Sequence, residues 1–291
     1  MLLSILTPSR NYGSFLPDAL QSVAGQEDDA VEHIVVDGAS TDDTVEILRA
    51  WSHRVRFVSA PDQGQSDALN KAAAMADGEW LGWLNVDEFY LPDAFRTVRT
   101  ALADTPGADV LYGDCCFVDQ TGRLLRLLPQ HRFVPRILRW YGPFMSTCAT
   151  FIRRDALPER GWDPALRRVM DWDLFLELQR RGARFAHVRA PLAAFRIHDA
   201  QVTAVRIHSW AGEGVHVRAR HDLAASPRLA KTLHVLARVD HGLRKLADGA
   251  YRRQAAVQRA LRGADLRWFA SSDAHENAER LVHMASRPTY R

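Results

Sequence analysis

With 291 residues, 47% of them apolar and 25% charged, the chain can form one large core, or a core with an appendage, and is too apolar for disorder throughout. The formal net charge of +3 hides an asymmetry: residues 201–291 carry 16 Lys+Arg against 8 Asp+Glu, and the remainder 22 against 27. A basic tail on a mildly acidic body is read as a solvated helical face, or as a surface for anionic lipid headgroups or an acidic partner; nucleic acid is not expected as a partner.

Cys115, Cys116 and Cys148 have neither a paired framework nor a Cys-x-x-Cys spacing, which suggests reduced thiols in a cytoplasmic protein. The N-terminus lacks a basic leader and meets Pro8 early, and no apolar stretch reaches the roughly 18 residues that span a bilayer. The expectation is a soluble cytoplasmic chain, or one peripheral at the inner face of the membrane.

In chain order, Leu2 to Leu6 reads as a strand closed by Thr7-Pro8-Ser9, and Ser14 as the cap of a helix carrying Leu16, Leu20 and Val23. Val31 to Val36 is a second strand, followed by a helix with Val45, Leu48 and Trp51. Arg54 to Ser59 is a third strand, Ser66 to Ala76 a helix and Trp80 to Leu84 a fourth strand. This alternation predicts a parallel sheet with crossover helices. A helix from Pro92 to Leu102 and a strand from Asp109 follow; Phe117 to Leu128 reads as a hairpin turning at Thr121-Gly122. Further strands are expected near Ala149–Arg153 and Phe185–Phe195, with a helix over Asp171–Arg181 between them. From about Val205 only helical spacing remains, so domains are expected at 1–204 and 205–291.

The most informative stretch is Gly78 to Pro92, an apolar strand ending abruptly in Asn85, Asp87 and Glu88. Ligands of open α/β sheets sit beyond the carboxyl ends of strands, so acids there suit a metal or a phosphate-bearing ligand. Mg2+ and Mn2+ take oxygen ligands and need only one or two protein carboxylates beside phosphates. Asp37, at the end of the second strand, is placed to read a base edge or ribose, whereas Ser40 and Asp42 are also good helix caps. In Asp62-Gln-Gly-Gln-Ser-Asp-Ala-Leu-Asn-Lys71, the glycine admits a close backbone approach and the helix start favours anions; Gln65 and Asn70 face either a diphosphate or solvent. In Met170-Asp-Trp-Asp-Leu174, helical geometry turns Asp171 toward the apolar face of Leu174, Phe175 and Leu178, and Asp173 nearly opposite. A carboxylate on that side needs a partner or a task, which favours Asp171 as a general base.

Taken together, Ser4-Ile-Leu-Thr-Pro-Ser9, His33 to Asp42, Asp62 to Lys71, Gly82 to Asp87, Ala149 to Arg154, Asp171 to Leu174 and Phe195-Arg-Ile-His198 resemble a family 2 glycosyltransferase of the GT-A fold, bacterial in type, over residues 2 to about 203. The resemblance implies a Rossmann-like, mainly parallel α/β sheet with flanking helices, here with a C-terminal helical extension. It implies that Pro8, Ser9, Asn11, Asp37 and Gln65 line a nucleotide pocket, which Ser40, Asn70 and Asn85 complete. Asn85 to Asp87 matches the Asp-x-Asp metal motif with its first acid replaced; His198 matches a late ligand of Mn2+ or Mg2+, and Asp171 the catalytic base. The implied reaction is inverting transfer from a UDP- or dTDP-type sugar to a saccharide or lipid-linked acceptor, in cell-surface polysaccharide or glycoconjugate synthesis. Rival expectations are a non-catalytic nucleotide-sugar-binding scaffold and a sugar-phosphate nucleotidyltransferase. The basic helices are expected to pack on the body, pair with another protomer or lie on a membrane.

Overall fold

The computed structural model describes residues 1–286 except Glu27, Asp29, Ala200 and residues 202–209. The first half alternates as its periodicity predicts: β1 (Leu3–Ser9), α1 (Leu16–Ala24), β2 (Val31–Asp37), α2 (Thr44–Ala50), β3 (Arg56–Ser59), α3 (Gln65–Met75) and β4 (Trp80–Trp83). β1 pairs in parallel with β2 and β4, and β2 with β3. All seven residues of β1 are buried, because helices cover both sheet faces. α1 does not use Ser14 as its cap: Phe15 holds that position without a side-chain bond, and Pro17 in the first turn fixes the start instead.

After β4 come β5 (Phe89–Tyr90), α4 (Ala94–Asp104), β6 (Val110–Val118), β7 (Leu124–Leu128), α5 (Pro135–Trp140), β8 (Thr150–Arg153), α6 (Met170–Arg180) and β9 (Phe185–Arg196). The sheet runs β3-β2-β1-β4-β8-β6-β9-β5, with β7 hydrogen-bonded to β6. β8 is antiparallel to both β4 and β6, and β5 to β9, while β6 and β9 are parallel. The sheet is therefore mixed beyond β4. The β6–β7 hairpin turns at Gly122, whose φ of +83° lies in the region that favours glycine.

The predicted boundary near residue 204 falls outside the described residues. Beyond it stand α7 (Trp210–Arg220), α8 (Pro227–Ala247), α9 (Ala250–Leu261) and α10 (Ser272–Ser286). These helices share their apolar cores with the body. Val217 and Leu223 join a cluster with Ile137, Leu138 and Trp172. Val257, Leu261, Leu266 and Leu281 close over Phe89, Cys116, Leu124 and Leu127. Each such side chain contributes about 1.5–3 kcal/mol by leaving water.

A buried polar seam lies along the same junction. Asp114 accepts from Gln130 N (2.7 Å) and His187 Nε2 (3.1 Å), and its other oxygen is 3.3 Å from Arg253 on α9. His131 Nε2 and His241 Nδ1 lie 2.7 Å apart. On the outer side, α8 exposes Leu229, Leu236, Val239, Leu243 and Leu246. No described helix is long and apolar enough to cross a membrane. The three cysteines are buried and free, and the fold brings Cys115 Sγ within 3.8 Å of Cys148 Sγ.

Candidate active site

β4 carries the chain to the carboxyl edge of the sheet and stops at Trp83; the backbone then turns, with Glu88 N donating to Asn85 O (3.1 Å). Glu88 is fully buried and accepts from Asn85 N (2.8 Å). Burial first, and the Asp87 charge second, push its carboxyl well above the usual range, which favours the protonated form. Asn85 Oδ1 accepts from Gln65 Nε2 (2.6 Å) and Trp83 Nε1 (2.8 Å).

Asp87 is left facing the cleft. Its Oδ2 lies 3.0 Å from His198 Nε2 and 3.3 Å from Gln201 Nε2. His198 packs against Phe15, with ring centroids 4.7 Å apart. Arg196, at the end of β9, sits almost wholly buried between Phe15 and Phe89, pairs with Asp18 (2.6 Å) and donates to the Asp87 carbonyl (3.0 Å). A cation buried in this way positions the acid loop.

The carboxylate of Asp87 and the imidazole of His198, now hydrogen-bonded to each other at 3.0 Å, are the oxygen and nitrogen donors that would hold Mn2+ or Mg2+. Among the described residues no group of three or more His, Cys, Asp or Glu gathers for a metal. Further ligands would come from water and a bound anion, the usual arrangement for such cations with phosphates.

Asp87 lines a cavity of about 340 Å³ with Pro8 and Ser9 at the end of β1, Asp62, Gln65 and Asn85. Arg10, Tyr12 and Gln201 also line it. Sequence reasoning assigned none of these three; Arg10 and Tyr12 flank Asn11 in the loop after β1, and Gln201 lies three residues past His198.

Four predicted nucleotide contacts lie elsewhere. Asp37 is sealed beneath the loop, where its carboxylate accepts from Ser40 N (2.9 Å), Ser40 Oγ and Ser59 Oγ (2.7 Å). Ser40 Oγ also accepts from Asn11 N (2.7 Å), and Asn11 Oδ1 accepts from Thr41 N (2.8 Å). Asp37, Ser40 and Asn11 thus brace one another. Asn70 is corrected outright: its amide donates to Trp162 O (2.7 Å) and accepts from Trp162 N (2.9 Å), so it ties α3 to a distant loop.

A larger cavity of about 710 Å³ adjoins the first, sharing Gln65, Asn85 and Phe195 as walls. Asp171, half-buried in the first turn of α6, lines it. Burial raises its carboxyl to about 6, against opposing backbone bonds from Trp172 N (2.8 Å) and its own N–H. Asp173, expected nearly opposite Asp171, is buried against His221 (2.8 Å), Arg160 (2.7 Å) and Arg220 at the end of α7 (3.1 Å).

Glu213 on α7 receives three consecutive backbone amides, those of Arg167 (3.2 Å), Arg168 (3.0 Å) and Val169 (3.4 Å). It thereby fixes the bend that leads into α6 and Asp171.

A metal-fitting pair and a raised carboxyl on adjoining cavities agree with the match found for residues 4–161, to the family described as Glycosyl transferase family 2. The chain belongs to this family. The chain is 33% identical over 118 residues to a PGL/p-HBAD biosynthesis glycosyltransferase of Mycobacterium bovis, covering 39% of this chain and 46% of the relative. It is 26% identical over 190 residues to chondroitin synthase of Escherichia coli, covering 64% and 28%. The chain thus spans less than half the length of these curated relatives. Its fold matches S. aureus TarS 1–349, solved with UDP-GlcNAc, at a TM-score of 0.65 and 15% identity over 98% of this chain and 90% of that one. The mannosyltransferase PcManGT from Pyrobaculum calidifontis, solved with GDP-Man and Mn2+, matches at 0.56 and 17% identity over 98% and 85%. These likenesses establish a GT-A glycosyltransferase fold with added C-terminal helices.

Proposed function

We propose that this glycosyltransferase moves a sugar, with inversion, from a UDP- or dTDP-type donor to an acceptor hydroxyl, in cell-surface polysaccharide or glycoconjugate synthesis. The reading rests chiefly on Asp171, a raised carboxyl on the wall of one cavity that shares Gln65, Asn85 and Phe195 with the cavity at Asp87. The smaller cavity takes the nucleotide diphosphate and the larger one the acceptor.

Asp171 accepts the proton of the acceptor hydroxyl. The freed oxygen pair forms a bond to the anomeric carbon from the face opposite the nucleotide, and the bond from that carbon to the diphosphate oxygen breaks. Asp87 and His198 would hold Mn2+ or Mg2+, which when bound offsets charge gathering on the departing diphosphate. Asn85, turned onto Gln65 and Trp83, contributes shape rather than charge.

The exposed row on α8, flanked by Arg228, Lys231 and Arg238, suits an anionic membrane surface at the inner face of the membrane, where a lipid-linked acceptor would lie. The decisive experiment is Asp171→Asn: transfer should fall roughly 10²- to 10⁴-fold while UDP titrates as before. Unchanged transfer removes Asp171 as base. Release of pyrophosphate instead of UDP would point to nucleotidyl transfer.

A further inference from the structure

The larger cavity is strongly one-sided in charge. Asp171 is the only acid on its wall among the described residues, while Arg167 and Arg218 both line it. Neither arginine has a carboxylate partner within ion-pair distance among the described residues, whereas Arg160 and Arg220 nearby do. Arg218 lies over the Trp172 ring at 5.6 Å, and its Nε is buried without a hydrogen-bond partner. That nitrogen is itself sealed, so the terminal guanidinium nitrogens are what a group arriving in the cavity would meet.

The cavity continues. A neighbouring one of about 530 Å³ between α7 and α8 shares Arg218 and His234 with it, adds Lys231 and has no acid among its described lining. Trp83, Trp140 and Trp172 supply flat apolar walls near Asp171. Such rings suit the apolar faces of sugars, and a stacked guanidinium suits the two-pronged recognition of phosphate or carboxylate.

We propose that the acceptor is an anionic saccharide, whose phosphate or carboxylate is held by Arg218 while its reacting hydroxyl rests at Asp171. The proposal rests on the acceptor being bound in this cavity, as the proposed function requires. It adds that a helix of the C-terminal extension selects that acceptor.

The test uses the full chain with MnCl2 and saturating UDP, titrated with glucose 1-phosphate, glucuronate and glucose by isothermal calorimetry. At about 50 mM salt, at least one of the two anions should bind no less than about tenfold more tightly than glucose, the ratio expected of one charge-assisted pair. Which anion wins separates a phosphate from a carboxylate acceptor. The preference should shrink in high salt, vanish in Arg218→Gln and return in part in Arg218→Lys, with the UDP isotherm unchanged throughout. Equal binding of the three sugars, no binding of any, or an Arg218→Gln chain that keeps the preference would overturn the proposal. Failure of the wild-type chain to bind UDP would strike the proposed function instead, and the three-sugar comparison made without UDP would still decide this one.

Discussion

The Nε2 atom of His198 and the Oδ2 atom of Asp87 lie 3.0 Å apart although 111 residues separate them, because β9 delivers the histidine to the loop that follows β4. Asp87→Ala should abolish Mn2+-dependent UDP binding, and His198→Ala should weaken it by no less than about tenfold, the lower end of what losing even a supporting group costs a metal site. Calorimetric titration of UDP with and without MnCl2 checks both. An Asp87→Ala chain with a wild-type response to manganese refutes the ligand assignment.

Asp171 should make transfer fall with acidity below about pH 6, since only its ionised form accepts a proton. Its effect on stability has the opposite sign. A carboxyl raised in the folded state contributes stability that is fully present below the unfolded value of 3.8 and lost as pH rises through about 6. At pH 7.5, Asp171→Asn should therefore be the more stable chain by about 1–2 kcal/mol, a few degrees in Tm, while transfer collapses. Calorimetric scans at pH 7.5 and 4.5 test this, and an advantage that does not shrink at the lower pH contradicts the assignment.

For Asp173, burial alone would raise the carboxyl; hydrogen bonds from His221 and Arg160 outweigh it and hold the group low. Its contribution is present above 3.8 and is lost as pH falls through the depressed folded value. Asp173→Ala leaves His221 without its acceptor, while Arg160 and Arg220 keep Asp163, and should cost about 1–3 kcal/mol, as a buried group left unsatisfied does. Denaturant unfolding measures the loss. Limited proteolysis should then cut first within the C-terminal helices; an unchanged midpoint would make the cluster energetically idle.

Glu213→Ala removes one acceptor from three backbone amides at 167–169, two residues ahead of Asp171. The expected result is a several-fold lower kcat with UDP affinity unchanged, because the nucleotide cavity lies on other elements. Steady-state kinetics beside a UDP titration separates the two quantities. A loss confined to UDP affinity would contradict this role.

Much of this architecture is legible from periodicity. β1, β4 and most of β2 are buried and read as apolar runs between helices, β3 is a largely exposed edge strand, and the abrupt acids after β4 mark the carboxyl edge of the sheet. Strand direction is not legible in the same way: nothing in Thr150–Arg153 says that β8 runs antiparallel and turns the sheet mixed. A helical wheel sets Asp173 nearly opposite Asp171, but no wheel reveals that Arg220 at the end of α7 meets it there. Asn70 misleads for a related reason, since its reach to Trp162 spans 92 residues. Arg196 carried a signal that went unused: a lone arginine directly after the apolar run Pro191–Phe195 needs a partner, and it finds Asp18 and the Asp87 carbonyl.

Because Val257, Leu261 and Leu281 roof Leu124, Leu127 and Phe89, the sheet has no finished outer wall of its own on that flank. A fragment ended at 204 would present raw apolar surface to water and clump, so it could serve neither as a minimal enzyme nor as a control for what the helices do. Exchanging these helices with those of a relative would succeed only if the sheet residues beneath were exchanged with them, which ties whatever substrate preference the helices confer to the inheritance of the sheet itself.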